Sequence, residues 1–345
     1  MMRQSNLAGA YELRGYRDGD EDEVITLLAT SLGDGPTGER SRAFFRWKHI
    51  DNPFGRSFML VAVEDERVVG FRSFMRWRLR AGDVEVSAAR AVDTATHPDH
   101  QGRGIFSALT SRAMEELSGD VDLIFNTPNG KSGPGYLKMG WTRAGDVPID
   151  VRVRHPIRFA RGARSFREQG PPRRPHPRVY ALPAGAAFED EGALVCLLRE
   201  SSNHGERLAT PRTVDYLRWR YASAPGLDYR VGRHHLAGRL AGLAFFRVRS
   251  RGRLWESTVS ELICRPGDGR TARRLLGEVV RAAGVDHLTG HFPTGTVQKK
   301  VSTRLGFVRS PAGLPFMVNR LRTADQPDPA HLRSWALTLG DLEVF

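Results

Sequence analysis

A stretch near the start of the chain returns, position by position in residue class, past its middle. Phe44-Phe45-Arg46-Trp47-Lys48-His49 is echoed 172 residues later by Tyr216-Leu217-Arg218-Trp219-Arg220-Tyr221. Pro53-Phe54-Gly55 and Pro225-Gly226 follow the two runs at the same distance. Paired apolar runs come next in each half, Phe58 to Val63 with Val68 to Phe74, and Tyr229 to Gly232 with Leu240 to Val248. Farther on, Leu137-Lys138-Met139-Gly140-Trp141 is matched 166 residues on by Thr303-Arg304-Leu305-Gly306-Phe307. Strand and helix units look alike by chance, but Arg-Trp and Gly-aromatic markers in one order point to duplication. The chain is therefore expected to form two like units, and 345 residues are enough for two domains.

Between Pro156 and Ala187 the sequence turns irregular, with Pro171-Pro172-Arg173-Arg174-Pro175-His176-Pro177 at its centre. Proline withholds backbone donors and biases its neighbours to extended conformations, so 156–186 is expected to be a linker. It separates a first domain, 1–155, from a second, 187–345. The first has mixed α/β character. Asp20 to Ser31 has helical spacing of Val24, Leu27 and Leu28, and Phe58 to Val63 is an apolar strand. Glu85 to Thr96 is expected as a strand, Gln101 to Leu117 as a helix, Val121 to Asn126 as a strand and Pro134 to Met139 as a short helix.

The net charge of +13 raises the question of nucleic acid. Five lysines leave 47 arginines, spread through all parts of the chain instead of gathered on one face. That scatter is what a GC-rich genome produces without selection for a polyanion, so nucleic acid is not expected as a partner. An anionic small molecule fits the charge equally well. Cys196 and Cys264 each stand alone, with neither disulfide nor zinc spacing. Met1-Met2-Arg3-Gln4 leads into polar residues, and no apolar run is long enough to span a bilayer. A soluble, cytoplasmic protein without membrane or metal is expected. A duplicated chain already imitates a dimer, which favours a monomer.

The junction His97-Pro98-Asp99-His100-Gln101-Gly102-Arg103-Gly104-Ile105-Phe106 carries the chemistry. Strand, glycine-rich turn and helix follow in order. Glycines at 102 and 104 let several backbone N–H groups point one way, and the helix start adds its unpaired N–H groups and positive dipole end. Such a corner suits phosphate oxygens, with Arg103 at its rim, although a tight strand–helix turn has the same composition. No Gly-Lys-Ser/Thr follows, which excludes a Walker loop, and the third glycine of a dinucleotide fold is missing.

Residues 92–106, Val-Asp-Thr-Ala-Thr-His-Pro-Asp-His-Gln-Gly-Arg-Gly-Ile-Phe, resemble the acetyl-CoA signature of the GCN5-related N-acetyltransferase (GNAT) superfamily. Gln101 and Gly104 match it, while Phe106 stands where Gly or Ala is usual. Asn129, Tyr136, Gly140 and Trp141 keep a second spacing of that superfamily. The resemblance covers residues 10–155 directly and 187–345 through the repeat. It implies an α/β (α+β) fold of two tandem GNAT-like domains, each a mixed, mostly antiparallel sheet flanked by helices, in a bacterial protein. It also implies acetyl-CoA as co-substrate and the amine of a small molecule as acceptor. By the same resemblance Thr94, Ala95 and Thr96 pair with the pantetheine arm. Gln101, Gly102, Arg103, Gly104, Ile105 and Phe106 hold the pyrophosphate, Asn129 steadies the pantetheine, and Tyr136 protonates the departing thiolate as general acid.

Each role has a plainer rival. Tyr136 is also a packed aromatic on a short helix, and Asn129-Gly130 is itself a turn signal. No base is obvious. Asp93 is the nearest carboxylate, but strand alternation points it away unless a bulge intervenes, which makes it a structural partner or a base. In the second half, Cys264 to Arg274 aligns with the loop but puts Asp268 where phosphate would lie, and the tyrosine position falls at Arg304 or a neighbour. That half is expected to be a worn copy shaping the substrate cleft. The tail from Trp335 to Phe345 alternates like a strand; alternatively Asp341, or the carboxylate of Phe345, reaches the cleft as the C-terminus does in some tandem relatives. Two other functions remain open, transfer from aminoacyl-tRNA and a non-catalytic acyl-CoA-binding regulator. The loop at 101–106 disfavours the first and the Asn129/Tyr136 pair the second.

Overall fold

The computed structural model describes residues 11–33, 40–130, 132–163, 172, 174–202, 205–322 and 327–342. The first half runs β1 (Glu12–Gly15), α1 (Glu21–Leu32), α2 (Arg42–His49), β2 (Phe58–Glu64), β3 (Arg67–Ala81), β4 (Val84–Thr96), α3 (Ile105–Leu117), β5 (Leu123–Asn126), α4 (Gly133–Lys138) and β6 (Thr142–Val153). After α5 (Pro156–Ala163) and the two-residue β7 (Leu182–Pro183), the same order returns. It comprises α6 (Glu191–Ser201), α7 (Val214–Leu217), β8 (Tyr229–Leu236), β9 (Arg239–Arg251), β10 (Leu254–Cys264), α8 (Gly269–Ala282), β11 (His287–Gly290), α9 (Val297–Arg304) and β12 (Val308–Arg320). A last turn, α10 (Leu339–Leu342), follows. No helix among the described residues is long and apolar enough to cross a membrane.

The strands form one sheet in the order β1-β2-β3-β4-β5-β12-β6-β11-β10-β9-β8-β7. Pairing is antiparallel except at β4–β5 and β10–β11, the two places where a helix returns the chain to the sheet. The centre of the order shows an exchange. Strand β12 closes the first half by pairing with β5, Met317 opposite Asn126, and β6 closes the second by pairing with β11, Val153 opposite His287. The boundaries 1–155 and 187–345 therefore divide the chain without dividing the sheet. The largest apolar cluster lies between the halves and draws on both, with Trp77, Phe125, Tyr216, Phe245, Phe316 and Trp335 among its members.

At its centre the two markers of the repeat meet. The Trp47 and Trp219 rings stack with centroids 4.9 Å apart. Each indole donates to the other's main chain, Trp47 Nε1 to Trp219 O and Trp219 Nε1 to Trp47 O, both at 2.8 Å. A buried indole needs an acceptor for its N–H, and here each copy supplies the other's.

Three expectations are corrected. The irregular stretch begins with helix α5, Pro156 sitting at its first position, where the missing N–H costs nothing. As far as Leu342 the tail is not a strand: Trp335 bridges Leu208 and the chain then turns into α10. Thr338-Leu339-Gly340-Asp341 is a capping sequence, and Asp341 Oδ2 accepts from the Thr338 N–H at 2.8 Å. Helix α3 also starts later than its apolar spacing suggests, at Ile105, because Gly102 and Gly104 take positive φ.

Trp47→Ala is expected to lower stability by about 3–5 kcal/mol. Trp219→Ala should do the same, and the double variant should lose less than the sum, because one contact serves both residues. Urea-unfolding midpoints of the three variants provide the check; strict additivity would show that the rings do not depend on each other.

Candidate functional site

Strands β4 and β5 pair only at Ala88, Ala89 and Arg90, against Leu123, Ile124 and Phe125. Beyond Arg90, β4 continues to Thr96 with β3 as its one strand partner, so the sheet parts. The parting coincides with a bulge. Arg72 opposes Thr94 and Ser73 opposes Val92, which leaves Asp93 as the extra residue with φ of +23°. Asn126, at the end of β5, is buried there with its Oδ1 unpartnered.

An open groove lies along the freed edge. Ser31 and Leu32 of α1 form one wall, Thr94, Ala95 and Thr96 the floor, and His100, Gln101, Gly102 and Gly104 with Ile105 and Phe106 of α3 the end. Gly102 and Gly104 both have φ of +78°, a conformation that L side chains resist, and no atom lies within 4 Å of where a Cβ would stand. The first main-chain bond of α3 runs from the Ala108 N–H to Gly104 O, so the N–H groups of Ile105, Phe106 and Ser107 have no helical acceptor. Free N–H groups, a positive dipole end and an unobstructed mouth fit a pyrophosphate, and the unpaired β4 edge fits an extended amide arm.

Of the residues expected at this site, Thr94, Ala95, Thr96, Gln101, Gly102, Gly104, Ile105 and Phe106 line the groove. Gln101 Nε2 lies 3.4 Å from Thr96 O, and the half-buried Phe106 ring stands edge-on to Tyr136 at 5.6 Å. Arg103 turns away, its guanidinium forked onto Glu64 at 2.7 and 3.1 Å. Asn129 is exposed; its Oδ1 accepts from the Ser132 N–H at 2.9 Å and so shapes the turn into α4. Tyr136 is buried on α4 between Trp141 and Phe106, and its hydroxyl oxygen accepts from Arg72 Nη2 at 2.7 Å.

Asp93 has partners that sequence spacing did not reveal. Its Oδ2 meets Lys48 Nζ at 2.8 Å and His49 Nε2 at 3.0 Å, while His49 Nδ1 faces Ser57 Oγ. Burial opposes ionisation of Asp93, but Lys48 and His49 outweigh it and hold the carboxyl well below the usual carboxylate range. Burial in turn pushes the Lys48 ammonium down against the pull of Asp93. A carboxylate so engaged pins α2 to the bulge and is a poor proton acceptor. Arg72, Lys48 and His49 were all missed. The available signal was a charged residue on an otherwise apolar face, Arg72 alternating with Gly70 and Phe74.

The second half repeats the architecture but not the chemistry. Strands β10 and β11 pair from Glu256 to Val259 and then part, with the register shift beside Ser260. At the head of α8, Asp268 Oδ1 takes the Thr271 N–H at 2.9 Å, so a side chain fills the phosphate position. The counterpart of Tyr136 is Ser302 rather than Arg304: Phe307 N donates to Ser302 O as Trp141 N does to Tyr136 O. In the tail, Asp341 is buried against Arg212 at 2.9 Å, and Arg90 Nη2 donates to Leu342 O at 2.6 Å beside the parted strands. Phe345 lies outside the described residues.

Residues 12–144 match the family model described as an acetyltransferase (GNAT) domain. No curated protein matches the chain in sequence. Among solved structures, it is similar to a probable N-acyltransferase from Enterococcus faecalis V583, with a TM-score of 0.64 at 13% identity, covering 91% of this chain and 73% of that one. A GCN5-related N-acetyltransferase from Anabaena variabilis ATCC 29413 gives 0.63 at 11% identity, covering 90% and 73%. Eis1 from Mycobacterium abscessus gives 0.56 at 14%, again covering 90% and 73%. At these identities the likeness is one of fold.

Asp93→Asn should remove the ion pair that Asp93 makes with the buried Lys48 and lower stability by about 3–5 kcal/mol at neutral pH. A depressed carboxyl stabilises the fold above its unfolded pKa and ceases to do so as pH falls through its folded value. The gap between wild type and variant is therefore expected to narrow below about pH 4. Urea unfolding across pH tests this, and a gap independent of pH would refute the pairing.

Proposed function

We propose that this chain, whose residues 12–144 form a GNAT acetyltransferase domain, moves an acetyl group from acetyl-CoA to the amine of a small molecule. The observation that carries the reading is the coincidence of three features at one place. These are the parted β4 edge, the Gly102/Gly104 corner at the head of α3, and a tyrosine hydroxyl buried beside them. The similar fold of a probable N-acyltransferase supports the transfer class.

In this reading Thr94 to Thr96 pair with the pantetheine arm and the N–H groups after Gly104 take the pyrophosphate. The amine attacks the thioester carbon directly. Main-chain N–H groups freed at the bulge are suited to stabilise the negative charge that develops on the carbonyl oxygen. Tyr136 gives its proton to the leaving sulfur. Asp93 serves as the anchor of the bulge, through Lys48 and His49, rather than as the base. Residues 187–345 form a second GNAT-like copy that has lost its phosphate corner to Asp268 and its acid to Ser302, and walls the acceptor cleft. The protein acts in the cytoplasm as a monomer, without nucleic acid or membrane.

Calorimetric titration of acetyl-CoA should give a dissociation constant in the micromolar range, within the span usual for enzyme substrates. Gly104→Glu, which forces a carboxylate and a strained φ into the corner, should abolish binding while circular dichroism stays unchanged. Tyr136→Phe should retain binding and lower kcat for thiol release by about 10²–10⁴-fold in a screen of amines. Absence of binding by the wild-type protein would overturn the acetyl-CoA reading.

A further inference from the structure

We infer that Arg72 is a positioning residue of the reaction, a buried cation that orients the Tyr136 proton toward sulfur and holds the phenolate left behind. The inference rests on Tyr136 being the general acid. Arg72 stands on β3 opposite Thr94, one residue before the bulge, and is 1% exposed. Its Nη2 donates to Tyr136 Oη at 2.7 Å and its Nη1 to Val92 O at 3.2 Å, while its Nε has no partner. The guanidinium lies over the Phe74 ring at 4.4 Å, with the Phe106 and Tyr136 rings within 6 Å. Among the described residues no carboxylate forms an ion pair with it. All its acceptors are neutral.

A buried cation without a counter-ion is costly, and the fold keeps this one against a phenol. Two consequences follow from its chemistry. A guanidinium has donors and no acceptor, so the tyrosine proton cannot be spent on Arg72 and is left to point elsewhere. The Phe106 ring, which stands edge-on to Tyr136 with centroids 5.6 Å apart, itself lines the groove. The second consequence concerns charge. The nitrogen–carbon bond forms, the carbon–sulfur bond breaks with its electron pair going to sulfur, and Tyr136 hands its proton to that sulfur. A phenolate remains until the proton shed by the acylated nitrogen restores it. During that interval, Arg72 has the counter-ion that it lacks at rest. A fixed cation at the atom where negative charge appears stabilises the transition state without reorganisation.

The test is a double-mutant cycle on the full chain. It measures thiol release from acetyl-CoA with water as acceptor, and in parallel with the best amine from the screen. Arg72→Gln keeps a donor and removes the charge; it should lower kcat by about 100-fold with acetyl-CoA affinity and thermal midpoint little changed. Arg72→Lys, which keeps the charge, should recover most of the rate and guards against a variant that fails to fold. In a Tyr136→Phe background, Arg72→Gln should cost almost nothing further, because the two residues act as one unit. Equal losses in both backgrounds, or an unchanged kcat, would overturn the role of Arg72. Full activity of Tyr136→Phe alone would overturn the reading of the acid instead, and the two failures are distinguishable.

Discussion

Two indole rings decide how this molecule is put together. Trp47 and Trp219 stack face to face, and each satisfies the other's buried N–H through a main-chain carbonyl. Neither bond can form within one half, so the contact exists only when both copies are present and correctly turned. Around it gather Trp77, Tyr216 and Phe54, whose rings touch across the same seam. A sheet that exchanges its closing strands at that seam depends on the halves meeting in one orientation, and the reciprocal pair specifies it.

The same helix connects that seam to the groove. Successive residues of α2 point about 100° apart, as 3.6 residues per turn requires. Trp47 therefore faces the other half, while Lys48 and His49 face the bulge of β4 and hold Asp93. The bulge follows three residues after β4 leaves β5 at Arg90, and Thr94 to Thr96 beyond it have a free edge. The geometry of the candidate site is thus tied to the contact between the halves by a single helical turn, and Arg90 adds a second tie through Leu342.

Much of this was legible in the sequence, for reasons that differ by element. The duplication was visible because the paired markers Trp47/Trp219 and Gly140/Gly306 are residues that buried contacts and positive φ demand. The groove at 94–106 was visible because a strand, two glycines and a helix leave few other solutions. Charged residues in buried places were not legible. Lys48 and His49 find Asp93 across α2 and β4, and Arg72 finds Tyr136 across β3 and α4, and no local spacing encodes such meetings. The exchange of β6 and β12 was equally hidden, since hydrophobic pattern marks a strand but not its neighbour. The tail was misread through its alternation, although Thr338 and Asp341 already spelled out a helix cap.

The crossing of β6 and β12 sets an order of events while the chain is being made. Strand β5 waits beside an open edge until residues 308–320 have been synthesised, and β6 has no strand partner until β11, residues 287–290, has been made. The first half emerges from the ribosome long before the strand that closes it. The sheet that carries its groove is completed only by β12, although the groove's own residues, between 31 and 106, were made long before. A chain stopped between Phe106 and β12 would carry every residue of the groove and still leave its sheet unfinished.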